Sequence, residues 1–548
     1  MSSSVDRREF LRRSSLASVG AAAATTVGPA TFTACQGRSS SPTEPPNIVV
    51  ILADDMGFSD IGCYGSEIDT PNVDQLADDG MRFTQFYNAA RCCPTRASLL
   101  TGLYPHKAGV GHLSRDYGRP GYQGHLTSEC VTLGEALGEA GYFTGMVGKW
   151  HVGHQKEAYW PSNRGFDRFY GEHNYVDDYF KPTHQLYLNG TEVEPEGEDW
   201  YSTDAYTDYA LQFMDEAHQA GQPFCMYVAY NAPHFPLQAF QEDIAKYEGE
   251  YGKRWLEVRQ KRYDRLREMG LIDDSWTLSE PSLLDPESEE VRDWLEVEDD
   301  SREQWDLKMA AYAAQVDRMD QNIGRLLRRL EQLGVADNTM VMFLSDNGGC
   351  AEDWINSQNP DGVAPGARNC KLAYGPPWAN VSDTPFRYYK RWVHEGGIAT
   401  PLVVRWPNVV EPGSVSRQMG HVVDLLPTFL EAAGASYPST YDGEAVPPMQ
   451  GESLVPALRG QEEPIHDALF WEHEGNRAVR KGDWKLVESS RFSEEEWELY
   501  NMADDRTETN DLADERPETV AELEEAYQNW ADRSNVIPWE KVKEIRSS

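Results

Sequence analysis

The residues best able to do chemistry stand in short clusters: Asp54 and Asp55, Cys92 with Arg96, Lys149 and His151, His234, Asp346 and Asn347, and Lys390 with His394 and Glu395. Asp54, Asp55, Asp346 and Asn347 offer only oxygen donors, which suit a hard divalent cation. His151 and His234 can move protons near neutral pH, and lysines can hold an anion. Any one of these side chains, taken singly, is more often an ordinary polar loop residue. Their convergence is what argues for a site.

Cys92 needs separate attention. The stretch AARCCPTRASLLTG, residues 89–102, places Cys92 and Cys93 before Pro94, a residue suited to the first helical position, and Gly102 suits the end of that helix. The cysteines are therefore expected at the positive end of a helix dipole, where a thiolate or other anion is stabilised. A disulfide between neighbours would be strained, and a zinc site lacks partner spacing. A phosphate loop would need G-x-x-x-x-G-K-[ST], and a thiol nucleophile would want a paired histidine. None of these accounts for Arg96.

The elements that must position these groups share one design. NIVVILA (47–53), TMVMFLS (339–345), YFTGMVG (142–148) and PFCMYVAY (223–230) are apolar runs that read as strands, and each leads into polar residues from the clusters above. TPLVVRW (400–406) instead follows its cluster, YYKRWVHEGG. A helix is predicted over 304–334, where Trp305, Met309, Tyr312, Val316, Met319, Ile323, Leu327 and Leu330 recur at three- and four-residue steps. Alternating strands and helices predict an α/β fold with a largely parallel central sheet flanked by helices. Ligands of such sheets bind beyond the carboxyl ends of the strands, so Asp54, Asp55, Lys149, His151, His234, Asp346 and Asn347 are expected on one rim. Short amphipathic strands and an acidic helix near 517–532 predict a smaller C-terminal α+β domain. The expected division is 1–45 as export signal and linker, 46–463 as catalytic domain, and 464–548 as the C-terminal subdomain.

The 548 residues carry 50 Lys+Arg against 90 Asp+Glu, a net charge of -40, which argues against a nucleic-acid partner. DRREFLRRSS, with Arg7 and Arg8 ahead of a weakly apolar run, resembles a twin-arginine export signal read by the matching export machinery. Cys35 is a candidate lipid anchor. No later segment has the length and apolarity of a transmembrane span, so an exported protein, periplasmic or secreted, is expected. The eight cysteines show no repeated zinc spacing. The segment 236–303, rich in Trp, Tyr, Arg and Glu, is expected as a solvated helical face, with a pocket wall as the alternative.

Cys92-Cys93-Pro94-Thr95-Arg96 matches C-x-P-x-R and is followed by ASLLTG; together with ADDMG, GKWHVG, APH, SDNGG and KRWVHEGG in order, it resembles the formylglycine-dependent sulfatases over about residues 46–430. WEHEGNRAVR and WKL extend the likeness to bacterial arylsulfatases. The resemblance implies an alkaline-phosphatase-like scaffold and a sulfate ester substrate, aryl or carbohydrate. It implies that a separate maturation enzyme oxidises Cys92 to Cα-formylglycine, Cys93 being a variable position. It also implies a calcium ion held by Asp54, Asp55, Asp346, Asn347 and residue 92. In the implied reaction the hydrated aldehyde attacks sulfur, giving a formylglycine-sulfate intermediate. Arg96 steadies the hydrate, Lys149 and Lys390 grip sulfate oxygens, and His234 protonates the departing alcohol. His151 then takes the proton whose loss expels inorganic sulfate. His394 either contacts the leaving group or only packs. Asn174 and Tyr175 stand where relatives often place a serine. The glycines of VHEGG would also suit a turn needing positive φ. Two rivals are a phosphoesterase or phosphonate hydrolase on the same scaffold and a non-catalytic sulfoglycan-binding protein.

Overall fold

Asn47–Ala53 (β1) is buried along its whole length and alternates between two cores. Val49, Ile51 and Ala53 face one, while Ile48, Val50 and Leu52 face the other. A strand's two-residue period demands this of a run that is apolar at every position. The computed structural model describes residues 44–547 apart from 176, 183–184, 196, 253–254, 283–298 and 490–495. The export segment, with Arg7, Arg8 and Cys35, lies outside the described residues.

The other strands of the central sheet are Met81–Phe83 (β2), Phe143–Lys149 (β3), Arg168–Glu172 (β4), Leu186–Leu188 (β5), Thr191–Val193 (β6), Phe224–Ala229 (β7), Thr339–Ser345 (β8), Leu402–Arg405 (β9) and Ser414–Ser416 (β10). Their spatial order is β10-β2-β9-β8-β1-β7-β3-β4-β5-β6. Pairing is parallel from β8 through β1, β7 and β3 to β4, whereas β9 runs antiparallel to β8. That reversal matters for the site. It puts the start of β9 beside the carboxyl ends of its neighbours, so Lys390, which precedes its strand, reaches the same rim as Asp54, which follows its own.

The flanking helices are Pro71–Asp78 (α1), Cys92–Thr101 (α2), Leu133–Glu139 (α3), Ser202–Ala220 (α4), Trp255–Glu268 (α5), Asp299–Gln332 (α6) and Leu425–Ala433 (α7). Apolar residues of α1, α4 and the second half of α6 cover one face of the sheet, and those of α2, α3 and α7 cover the other. Within the segment 236–303, α5 keeps the solvated face expected of it, with Glu257, Gln260, Lys261 and Asp264 exposed, and also buries the opposite one. Arg259 and Arg262 on α5 are buried, and Arg262 pairs with buried Asp60 at 2.6 Å and with Glu67 at 2.8 Å. A buried carboxylate needs a cation, and α5 is drawn in to supply it. Among the described residues no helix is long and apolar enough to cross a membrane.

Near the C-terminus Leu469–His473 (β11), Asn476–Lys481 (β12), Trp484–Glu488 (β13) and Glu498–Asn501 (β14) form an antiparallel sheet. Val479, Leu486 and Leu499 on one face meet Leu523, Tyr527 and Trp530 of Pro517–Arg533 (α8). Trp471, Ala478, Val487 and Tyr500 on the other join a main core. Polar ties are buried there too: Glu395 accepts from Lys485 at 2.9 Å and from Arg506 at 2.7 Å.

Candidate active site

Helix α2 begins at Cys92. Arg91 before it has extended backbone, the Thr95 amide bonds the Arg91 carbonyl at 2.9 Å, and Gly102 closes the helix at φ 67°. Pro94 therefore falls third in the helix rather than first, still within the turn where a missing N–H costs nothing. Successive helical residues point about 100° apart. Cys93 accordingly packs into the core with Ala97, Leu99 and Leu100, and the ligand atoms of Cys92, Cys93 and His151 lie within 4.8 Å of one another. A hydrogen bond from Cys93, together with the charge of Lys149, holds the Cys92 thiol well below its usual range. Burial drives Cys93 the opposite way.

The ends of β1 and β8 bring the oxygens together. Lys149 Nζ lies 2.5 Å from Asp54 Oδ2, and Lys390 Nζ lies 2.7 Å from Asp55 Oδ1. Arg96 donates to Asp346 Oδ2 at 2.8 Å and to the Lys149 carbonyl at 2.6 Å. Asn347 Nδ2 donates to Asp55 Oδ1 at 2.8 Å, and the Asp55 amide to Asp346 Oδ1 at 3.2 Å. Burial favours the neutral acids, yet Lys149, His234 and Arg96 hold Asp54 low, and His234 and Lys390 hold Asp55 low. Asp346 is pushed up instead, by burial and by the Asp54 charge. Three carboxylates thus face three cations, Arg96, Lys149 and Lys390, one paired with each.

The donor set fits a divalent cation. Among the described residues Asp54 Oδ1 and Asn347 Oδ1 are buried acceptors with no hydrogen-bond partner, each costing about 1–3 kcal/mol if left so. A hard ion would satisfy both and favour the ionised form of Asp346.

Two histidines flank this cluster differently. His151 is 7% exposed, and burial lowers its pKa to about 4, so it is neutral at pH 7 and able to accept a proton. His234 Nε2 lies 3.3 Å from Asp55 Oδ2, its Nδ1 bonds the Phe235 carbonyl at 2.6 Å, and its side chain is 13% exposed. It stands on the solvent side. Asp55 (φ 64°) and His151 (φ 61°) both hold left-handed backbone, a strain of roughly 1–3 kcal/mol that here aims a side chain into the centre.

Residues 46–435 match the family described as Sulfatase, and residues 386–531 match the one described as N-sulphoglucosamine sulphohydrolase, C-terminal. The chain belongs to the sulfatase family. It is thus a sulfuric ester hydrolase. The sulfatase is 33% identical to an uncharacterized sulfatase of Schizosaccharomyces pombe, over 90% of this chain and 95% of that protein. It is 34% identical to the arylsulfatase of Klebsiella aerogenes, over 76% of this chain and 93% of that one. The solved structure of Ps i-CgsB in complex with k-i-k-neocarrahexaose aligns at TM-score 0.66 and 27% identity, covering 89% of the sulfatase and 93% of that chain. The fold is the alkaline-phosphatase-like one that the resemblance implied.

Every residue expected in the sulfatase's site reaches this one rim: Asp54, Asp55, Cys92, Arg96, Lys149, His151, His234, Asp346, Asn347 and Lys390. His394 does not join it. Its Nε2 bonds Glu498 of β14 at 2.9 Å, and its ring stands edge-on to Tyr388, so it packs. Tyr175 stands by His151, ring centroids 6.5 Å apart, while Asn174 bonds Ser114. The paired glycines serve close approach rather than positive φ. A Cβ on Gly348 would lie 2.0 Å from the Gly396 carbonyl oxygen, and one on Gly396 2.1 Å from that of Tyr388.

Sequence reasoning missed Glu172, Glu352 and Glu474. Glu172 ends β4 beside Lys149 of β3, and burial raises its carboxyl to about 7. Glu352 and Glu474 pair with Arg91 and Arg391, the residues adjoining Cys92 and Lys390. Arginines touching the motif blocks were the signal available.

Proposed function

We propose that this sulfatase cleaves sulfate esters of carbohydrates, and activated aryl sulfates in vitro, through Cys92 converted to formylglycine by a maturation enzyme. One observation carries the reading: both cysteines stand near His151, but it is Cys92 that interacts with Asp54, Asp55 and Asp346, while Cys93 packs with Ala97, Leu99 and Leu100. The hexaose bound by the solved relative supports a saccharide substrate.

Asp54, Asp55, Asp346, Asn347 and residue 92 would hold calcium, which when bound neutralises sulfate oxygens and favours an anionic nucleophile. Lys149 and Lys390 each have three donors, so each can keep its aspartate and still bind a sulfate oxygen. Arg96 holds Asp346 in register beside residue 92. His234, on the solvent side, gives a proton to the leaving oxygen, and neutral His151 takes one from residue 92. Export by the twin-arginine route, with Cys35 as a candidate lipid anchor, rests on Arg7 and Arg8.

The test is mass spectrometry of protein purified from its native host, with turnover of matched aryl sulfate and aryl phosphate. Formylglycine at position 92 and preference for sulfate are expected. An intact thiol in rapidly turning-over protein overturns the mechanism, and preference for phosphate overturns the substrate class.

A further inference from the structure

A second cavity, of about 280 Å³, is lined by Arg91, Arg115, Arg391, Arg546, His112 and Glu474 among others. Four arginines around one opening are unexpected in a chain of net charge -40. Two come from the catalytic loops themselves. Arg91 immediately precedes Cys92, and Arg391 immediately follows Lys390. The Arg391 amide donates to the Ala90 carbonyl at 3.0 Å, and Ala90 (φ 63°) and Arg391 (φ 83°) both hold left-handed backbone. Such strain is maintained where the surrounding structure enforces it, commonly at ligand clamps.

The buried pair is held from behind. Glu352 accepts from Arg91 at 2.5 Å, and Glu474 accepts from Arg391 at 2.5 Å and bonds His112 at 2.9 Å. Arg91 Nε is nonetheless a buried donor with no hydrogen-bond partner among the described residues. Arg115 and Arg546 are exposed, and Arg115 donates to the Arg546 carbonyl at 3.5 Å. Arg115 also lies 5.5 Å over the Tyr117 ring while remaining exposed. Planar guanidinium groups match sulfate and carboxylate oxygens, and a fixed, partly buried set binds them with little loss of side-chain freedom.

We propose that this cavity is a subsite for a second oxyanion, a sulfate or carboxylate carried on the alcohol part of the substrate. The preferred substrates are therefore multiply charged saccharides. The inference rests on the sulfatase reading for the position of the scissile ester.

The test titrates Cys92→Ala protein, loaded with calcium, by calorimetry with three ligands: N-acetylglucosamine 6-sulfate, glucosamine 2-N,6-O-disulfate, and N-acetylglucosamine 6-sulfate linked to glucuronate. The doubly anionic ligands should bind at least about tenfold more tightly than the first. Arg115→Gln with Arg546→Gln should erase most of that margin. Arg328→Gln with Arg533→Gln, exposed positions outside the cavity, should preserve it. A margin confined to the disulfate assigns the subsite to sulfate, and one confined to the uronate assigns it to carboxylate. Equal affinity for all three ligands, or a margin that survives the Arg115 and Arg546 substitutions, overturns the subsite. Turnover of 4-nitrophenyl sulfate by protein with Cys92 intact is measured in parallel. Its absence counts against the sulfatase reading, whereas the binding margin alone decides the subsite.

Discussion

Cys92 and Cys93 differ by one step along α2: both stand near His151, but it is Cys92 that interacts with Asp54, Asp55 and Asp346 while Cys93 packs into the core. Cys92→Ala should lower sulfate release by more than about a thousandfold, while Cys93→Ala keeps most of it. Initial rates on one aryl sulfate decide this, and equal losses would show that the wrong thiol had been chosen. The acid role proposed for His234 would divide substrates by their leaving groups. His234→Ala should cost about a hundredfold or more on sugar sulfates, whose alkoxides need a proton, and far less on nitrophenyl sulfate. A uniform loss across a leaving-group series would remove its role as acid.

Between elements, the C-terminal sheet grips the loop that carries Lys390 through Glu395. Burial would raise the Glu395 carboxyl, but Lys485 and Arg506 hold it down at about 2. Glu395→Gln strands buried cations and should cost about 3–5 kcal/mol, read from denaturant midpoints. A loss under 1 kcal/mol on the order-of-magnitude scale of an exposed pair would mean that the contact is incidental. At the β3–β4 edge the sign of the pH effect reverses. Glu172 is raised to about 7 from an ordinary value of 4.5, so its folded form retains the proton more strongly. Its contribution to stability is complete below pH 4.5 and is lost as pH rises through 7. Glu172→Gln should therefore flatten the fall in stability across that window. Unfolding curves at stepped pH that keep the wild-type slope would exclude Glu172 as its source.

For the molecule as a whole, the unsatisfied oxygens of Asp54 and Asn347 would make a bound metal a stability term as well as the catalytic one proposed. Calcium at about 100 times its dissociation constant should add roughly 2.7 kcal/mol, and a chelator should remove it together with activity. Thermal unfolding with calcium, with magnesium and with chelator measures this. A Tm indifferent to all three would count against the metal site. The charge of -40 acts over longer range: an acidic substrate meets repulsion that salt relieves, while the arginine-lined opening supplies local attraction.

Strand identity, the polar residue at each strand's end and the helix that presents Cys92 were legible in the sequence. They depend on local periodicity and on short motifs such as SDNGG and KRWVHEGG. Tertiary structure alone decided the antiparallel direction of β9, which brings Lys390 to the rim, and the burial of Arg262 against Asp60. It alone decided that His394 turns to Glu498, and that arginines 300 residues apart in sequence, Arg91 and Arg391, share one cavity. Local sequence specifies what a segment can bury. Which distant charge satisfies a buried group depends on where the packed elements bring their loops, and no window of neighbouring residues contains that information.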